Sequence, residues 1–427
     1  MTIEQLYQVY KQFPSVQTDT RKLNKGDLFF ALKGPSFNGN SFAAKALEAG
    51  AAYAIIDEAE YQLDERFILV NDVLETLQQL ARFHREQFTN TPFIAITGSN
   101  GKTTTKELVH AVLSSKYITY TTKGNLNNHI GIPLTILSVK PDAEFAIIEM
   151  GANHQKEIAG YCTYTLPDYG IITNCGKAHL EGFGGVEGVR KGKGELYDFL
   201  RAHGGTAFVM WDFDYLQTMS KGINKIIKYG TADSDYVGEV VKSEPFLEIN
   251  ITKGADTGLI RSQLVGDYNL PNLLVAVSVG KFFNVPDAQI KSAIENYSPS
   301  NSRSQLVQIG TNTIILDAYN ANPSSMKLAI ENFARQHYPD KLLLLGSMAE
   351  MGEDSEKEHM AILDLIKQYQ WKQVVLVGGE FKKVNTQYLQ FDDSSAAATW
   401  YKEQNFQHIA ALVKGSRSTQ MEKVIGQ

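Results

Sequence analysis

The stretch FIAITGSNGKTTTKELVHAVL, residues 93–113, decides the fold. A short apolar run, FIAIT, meets a turn made of Gly98, Ser99, Asn100 and Gly101. Lys102, Thr103 and Thr104 then open a helical pattern. The two glycines let the backbone curl so that successive N–H groups point at one anion. The helix that follows turns its positive dipole end to the same place, which favours phosphate there. Lys102 is expected on the β- and γ-phosphates of a nucleotide, with the Thr103 hydroxyl on Mg²⁺. The strict phosphate-loop pattern asks for glycine at position 96, where this chain has Ile96. An ordinary glycine turn with a solvated lysine is the alternative. The intact order of strand, glycine turn, Lys-Thr and helix favours ATP or GTP.

Outward from this loop, YITY, FAIIEM and YGIITN are also short, continuous and apolar, and helix-length stretches separate them. Such runs are the pattern of buried parallel strands in an α/β domain. FAIIEM (Phe145–Met150) carries Glu149 at its end, where a Mg²⁺ ligand is expected beside a phosphate loop in an open α/β sheet. GNLNNHIGIPLT holds Asn125, Asn127 and Asn128, amides that suit a polyhydroxylated or amide-bearing ligand and equally suit a turn. NCGKAHLEGFGG places His179 after a strand, and GVRKGKGELYDFL places Lys191 and Lys193 before a helix. On composition alone, a structural histidine and solvated lysines are the default readings.

Three domains are expected. Before the loop, GDLFFAL, AYAIID and FILV read as strands with helical patterns among them, and FTNTP (Phe88–Pro92) breaks the pattern. After it, YVGEVV, FLEINITK and IRSQLV alternate and read as an antiparallel appendage, followed by a helix from about Asn269 to Phe283. NYSPSNSRS then marks a second boundary. TIILDAY, KLLLLGS, QVVLVGG and AALVKGS form a third α/β unit. The expected limits are 1–88, 89–298 and 299–427.

The chain has 427 residues and a net charge of −6, from 41 basic and 47 acidic side chains, so a general nucleic-acid binder is disfavoured. With Cys162 and Cys175 as its two cysteines it has no disulfide framework, and two buried free thiols are expected. MTIEQLYQVYKQF has no signal-peptide pattern, and no apolar run is long enough to cross a bilayer. The protein reads as soluble and cytoplasmic.

Taken in order, TGSNGKTTTKE, GNLNNHIGIPLT, IIEMGANHQKEI, NCGKAHLEGFGG, KGKGELY, LDAYNANPSSM, LGSMAEMGEDSEKEH and LVKGSRS resemble the Mur ligases. The resemblance covers all three domains. It implies an N-terminal domain that holds a uridine nucleotide sugar, a central ATPase domain with a mostly parallel sheet, and a Rossmann-like C-terminal domain. DTRKLNKGDLFFALKG resembles the uridine-nucleotide segment, which makes Thr20 and Arg21 candidates. Asn38-Gly39-Asn40 stands where Asp-Gly-His is usual. Thr103, Glu149, His179 and Lys193 fall on the family's magnesium positions, Lys193 on the lysine that the family carbamylates with CO₂. His179 and Lys193, with Lys102, are thereby expected to be catalytic.

GDYNLPN resembles Gly-x-His-Asn-x-x-Asn, with Tyr268 for His and Asn272 expected at the adenine. Arg303 and Asp317 match positions that reach ATP from the C-terminal domain, and Asn320 and Asn322 share that loop. Ser347 stands where the family often has Asp. Lys414 and Arg417 in LVKGSRS are cations suited to a terminal carboxylate.

DAYNANPSS and LGSMAEMGEDS resemble the branch that joins D-alanyl-D-alanine to UDP-N-acetylmuramoyl-tripeptide in peptidoglycan synthesis. The resemblance therefore implies an ADP-forming ligase that works through an acyl phosphate, as a monomer with ATP and Mg²⁺. The alternatives are another Mur-type ligase adding a single amino acid, and a phosphate-loop regulatory ATPase.

Overall fold

The computed structural model describes residues 1–299, 302–384 and 386–427. Residues 300 and 301, inside the polar stretch expected as the second boundary, lie outside the described residues.

The N-terminal unit is a four-stranded parallel sheet in the order Val16–Gln17, Leu28–Phe30, Tyr53–Ile56 and Phe67–Leu69. Its side chains alternate. Phe29, Ala54 and Ile56 face the helix Ala43–Glu48, whereas Leu28, Phe30 and Ile55 face the helices Ile3–Gln12 and Val73–Arg85. That second face does not end at the unit's edge. Leu77 and Leu80 join one continuous core with Ile132, Ile136 and Ile158 of the next unit, so FTNTP marks a change in pattern without separating two cores.

The central sheet has nine strands. Thr119–Thr121 lies at one edge, followed by Phe145–Glu149, Phe93–Thr97, Tyr169–Ile172, Thr206–Met210, Lys225–Gly230 and Tyr236–Lys242, all parallel. Glu248–Lys253 and Leu259–Arg261 complete it antiparallel. The expected appendage is thus a continuation of the main sheet. Phe93, Ile94, Ala95 and Ile96 are all at 0% exposure, as a strand covered on both faces requires. The edge strand Thr119–Thr121, read from YITY as buried, is half-buried throughout.

Helix Lys102–Ser114 follows the glycine turn and packs against Leu270–Phe282. The latter is apolar all round and correspondingly buried along its length. Gly280 permits the approach, because a Cβ there would stand 2.6 Å from Val112 Cγ1. This packing fixes the helix whose N-terminus carries the loop.

The C-terminal unit is a six-stranded sheet in the order Gln305–Ile309, Asn312–Asp317, Ala410–Lys414, Lys341–Gly346, Gln373–Val377 and Leu389–Phe391. Only the first pair is antiparallel. Separate cores cover its two faces, one around Leu343, Leu345 and Phe333, the other around Leu344, Val375 and Val413. Both cysteines are buried and free. No helix among the described residues is long and apolar enough to cross a membrane.

Candidate active site

The loop after Phe93–Thr97 is held open by backbone that only glycine accepts comfortably. Gly98 has φ +144°, and a Cβ on it would overlap the Thr173 hydroxyl. Gly101 has φ +80°, with Asn272 Oδ1 2.8 Å from where a Cβ would lie. Asn174 braces the turn. Its carbonyl accepts from Ser99 N–H at 2.9 Å and its Oδ1 from Asn100 N–H at 3.1 Å.

Lys102 bends back over this turn, donating to the Gly98 carbonyl at 2.7 Å and the Ser99 carbonyl at 3.2 Å. Burial lowers its pKa to about 8. Glu149 works against that shift, and the charge of Arg303 adds to it. Thr104 is half-buried in the first turn of the helix.

Glu149 ends its strand at 1% exposure. Its carboxylate accepts from Thr103 Oγ1 at 3.0 and 3.2 Å and from Asn127 Nδ2 at 2.8 Å. A hydroxyl, a carboxylate and a phosphate loop together fit Mg²⁺, which takes one or two protein oxygens and completes its shell with water and substrate phosphates. Among the described residues no group of three or more His, Cys, Asp or Glu forms a protein-only metal cage. The donor set suits an ion that arrives with nucleotide.

Of the three asparagines in GNLNNHIG, only Asn127 reaches this carboxylate. Asn128 Oδ1 accepts from the N–H groups of Ile130 and Gly131 and so shapes the start of the next helix. Asn125 is exposed.

Lys193 is 1% exposed on the helix Val186–His203. Its ammonium donates to the Ala152 carbonyl at 2.9 Å and lies over the Phe183 ring. Burial first, and then the nearby charge of Lys102, pull its pKa down to about 7. His179 has φ +51°, and its Nδ1 meets the carboxylate of Glu350 in the C-terminal unit. That histidine holds the Glu350 carboxyl below its usual range.

The expected adenine residues adjoin the loop. Asn272 Oδ1 accepts from Thr105 Oγ1 at 3.0 Å, while its Nδ2 donates to Asn269 Oδ1 at 2.8 Å. From the C-terminal side, Arg303 lies 3.5 Å over the Tyr319 ring, and Asp317 accepts from Ser304 N–H at 3.2 Å. Tyr268 is within 3.3 Å of the Ser304 hydroxyl. Asn322 caps the helix Pro323–Arg335 and donates to Asn100 Oδ1 at 2.7 Å, whereas Asn320 Oδ1 accepts from the neighbouring Ala321 N–H.

Other expected ligand-binding groups have partners of their own. Lys414 is 1% exposed and its Nζ lies 2.5 Å from Asp317 Oδ2. Arg417 pairs with Glu422 at 2.6 Å. Arg21 forks onto Asp19, with its side chain 87% exposed, and Thr20 lies in the same short 3-10 turn. Asn40, in place of histidine, is at 0% exposure. Its Nδ2 donates to Asn38 Oδ1 and Asp57 Oδ1, and its Oδ1 accepts from Asp57 N–H. The Asn-Gly-Asn departure therefore builds an internal polar network. Ser347 is buried at the end of its strand, and its N–H donates to the Val377 carbonyl.

One contributor was not singled out from the sequence, Asn174, which lies inside NCGKAHLEGFGG, where nothing in the string shows that it faces the phosphate loop.

Three family descriptions match in succession: the Mur ligase family catalytic domain over residues 13–85, the Mur ligase middle domain over 96–280, and the Mur ligase glutamate ligase domain over 302–417. The chain is 35% identical to UDP-N-acetylmuramoyl-tripeptide–D-alanyl-D-alanine ligase of Escherichia coli, covering 96% of this chain and 92% of that protein. It is 36% identical to the Bacillus subtilis enzyme of the same name, covering 81% and 75%. Crystal structure I of MurF from Acinetobacter baumannii superposes with a TM-score of 0.86 at 29% identity, covering 99% of this chain and 97% of that one. MurF ligase from Thermotoga maritima in complex with ADP gives 0.85 at 26% identity, covering 96% of each.

Proposed function

The chain belongs to the Mur ligase family, and we propose from that membership that it joins D-alanyl-D-alanine to UDP-N-acetylmuramoyl-tripeptide at the expense of ATP, releasing ADP and phosphate. The observation that carries this reading is the convergence of Lys102, Thr103, Glu149 and Asn127 with Asn322 and Arg303 of a second unit at one phosphate loop.

A carboxylate does not condense with an amine in water unless its oxygen is first made a leaving group. An oxygen of the tripeptide's terminal carboxylate attacks the γ-phosphorus of ATP, and the bond to the β–γ bridging oxygen breaks, giving an acyl phosphate and ADP. The amine of D-alanyl-D-alanine then attacks the acyl carbon. The tetrahedral adduct expels phosphate, and the nitrogen loses its extra proton.

Lys102, folded over the loop, is placed to follow the phosphoryl oxygens, and the first N–H groups of the helix Lys102–Ser114 are left to receive them, those of Ser99 and Asn100 being taken by Asn174. Mg²⁺ held by Thr103 and Glu149 would supply neutralising charge for the phosphates. Three substrates must meet in one cleft, so holding the C-terminal unit against the loop matters as much as charge.

Lys193 is read as a carbamate site. A buried amine with its pKa near 7 is substantially unprotonated at neutral pH; its nitrogen can bond to CO₂ and release one proton, which turns the neutral amine into a carbamate anion suited to the Mg²⁺ position. Lys193→Ala is then inactive and regains activity with short carboxylic acids; full activity without them would remove this role. The reaction is placed in the cytoplasm, the compartment that supplies ATP.

The test of the function is ADP release with UDP-N-acetylmuramoyl-tripeptide, with and without D-alanyl-D-alanine. Dependence on both supports the assignment. Equal turnover with single amino acids would move it to another ligase of the family.

A further inference from the structure

We propose that Lys177 is a positioning residue for ligation, whose ion pair with Glu358 seats the C-terminal unit on the phosphate loop in the arrangement the reaction needs. The inference rests on the ligase reading above and adds to it the device that couples the loop to the unit above.

Lys177 follows the strand Tyr169–Ile172 and reaches across to the helix Ser355–Ile366, where its Nζ lies 2.5 Å from Glu358 Oε1. The Glu358 side chain is 5% exposed, and among the described residues Lys177 is the only cation within salt-bridge distance of it. The backbone of the same residue makes a second crossing, with Lys177 N–H donating to Ser324 Oγ at 3.0 Å in the first turn of Pro323–Arg335. Gly176 makes room for this approach, since a Cβ there would stand 2.8 Å from Ser324 Oγ and 3.5 Å from Asn100 Nδ2.

The segment's other side holds the phosphate loop. Ser99 Oγ donates to the Gly176 carbonyl at 2.9 Å, Thr173 Oγ1 to the Asn100 carbonyl at 2.6 Å, and Asn174 Nδ2 to that same carbonyl at 3.0 Å. Asn100 then meets Asn322, the cap of the helix whose first turn holds Ser324. Residues 173–177 are therefore bonded to the loop on one side and to the C-terminal unit on the other, and neither can shift without straining the segment.

Glu358 explains why a lysine is needed. A carboxylate taken out of water at an interface is tolerable only while its counterion is present. Without Lys177, the easiest way to hydrate Glu358 is to part the two units. The population of the closed arrangement falls, and the apparent efficiency falls in proportion.

The experiment compares the full-length wild type, Lys177→Met, Glu358→Gln and the charge-swapped Lys177→Glu/Glu358→Lys protein. Each is assayed for ADP release with all three substrates, for direct binding of a fluorescent ATP analogue, and for radius of gyration by solution scattering with non-hydrolysable ATP. Lys177→Met is expected to lose about tenfold in kcat/KM, mostly as lower kcat and higher KM for D-alanyl-D-alanine. Its affinity for the ATP analogue, whose phosphate contacts stay on the loop itself, should fall by less than kcat/KM does, and its radius of gyration should increase. The double variant should recover to within about threefold of wild type.

Wild-type kinetics and scattering in Lys177→Met would overturn the proposal, as would a double variant no better than the two single changes combined. A loss traceable only to a smaller folded fraction, with the KM values intact, would overturn it too. Should Lys177→Met fail to fold, Lys177→Gln, which keeps a donor without the charge, gives the same readings. A wild-type protein that turns over without the UDP-sugar would refute the ligase reading instead, and the scattering comparison would still decide the ion pair.

Discussion

Replacing Lys414 by methionine is expected to destabilise the C-terminal unit by about 3 kcal/mol and to impair ATP more than the dipeptide. Lys414 and Asp317 are register partners at the ends of adjacent parallel strands. Their charged groups are 2.5 Å apart, with the side chains 2% and 16% exposed, and the ammonium also donates to the Asn320 carbonyl at 3.3 Å. Methionine keeps the packed stem but leaves an anion and a carbonyl unanswered. Breaking a buried pair from one side costs about 3–5 kcal/mol. The partial exposure of Asp317 and its remaining donor, Ser304 N–H, place this case at the low end. For a unit on the order of a hundred residues each kcal/mol moves the midpoint by about 4 °C, so the fall should be about 12 °C. Differential scanning calorimetry and steady-state kinetics for each substrate check this. Because Asp317 loses its orientation, KM for ATP should rise several-fold. Lys414→Met/Asp317→Asn, which removes both charges, should recover much of the stability. An unchanged midpoint with a raised KM for D-alanyl-D-alanine alone would refute the reasoning and return Lys414 to the role of a free carboxylate-binding cation.

Arg85 donates to the carbonyls of Thr165, Phe88 and Leu166 and to Asp168, and stacks on Phe93. Arg85→Met should therefore cost about 3–5 kcal/mol in urea unfolding, and a loss below about 1 kcal/mol would contradict that accounting. Gly101→Ala forces a side chain into φ +80° against Asn272, a strain of about 1–3 kcal/mol. Nucleotide titration should show at least about a fivefold weaker complex, and undiminished affinity would mean that the turn relaxes freely. His84 is held neutral by burial, its Nε2 on the Val139 carbonyl and its Nδ1 on the Tyr7 hydroxyl, so its folded pKa lies below the ordinary 6.5. As pH falls through about 6.5 the unfolded chain takes a proton that the folded one refuses, and stability is lost. The urea midpoint should drop between pH 7.5 and 5.5 and drop less in His84→Gln; equal slopes would exclude this histidine as a source.

Strand identity was legible because burial on both faces of a parallel sheet leaves a local mark. Ile94, Ala95 and Ile96 can be read as core without knowing their neighbours. Strand order leaves no such mark. YITY resembles FAIIEM in composition, yet one is an edge strand with half-buried side chains and the other lies inside the sheet. The first boundary shows the same limit. FTNTP interrupts the pattern, but the apolar face of Val73–Arg85 is completed by the helices Gly131–Leu137 and Glu157–Thr165, and no local signal says that a helix's partners lie beyond a break.

The same distinction separates the site residues. Gly98 to Thr103 could be read directly, since their geometry follows from glycine, a helix start and a lysine within six positions. Glu149 needed one further inference, that strand ends meet in an open sheet. The cations could not be sorted this way. Lys193, Lys414 and Arg417 look alike as solvated charges in the sequence, and what distinguishes them is which groups the fold brings opposite: a carbonyl and another ammonium for Lys193, Asp317 for Lys414, Glu422 for Arg417. Asn100 and Asn322 are 222 positions apart, and Lys177 and Glu358 are 181 apart. Each partner has an unremarkable local context, and their meaning arises only when the C-terminal unit lies on the loop. A ligase that must gather three substrates places part of its site where units meet, so the contacts that complete that site are the ones the sequence conceals most.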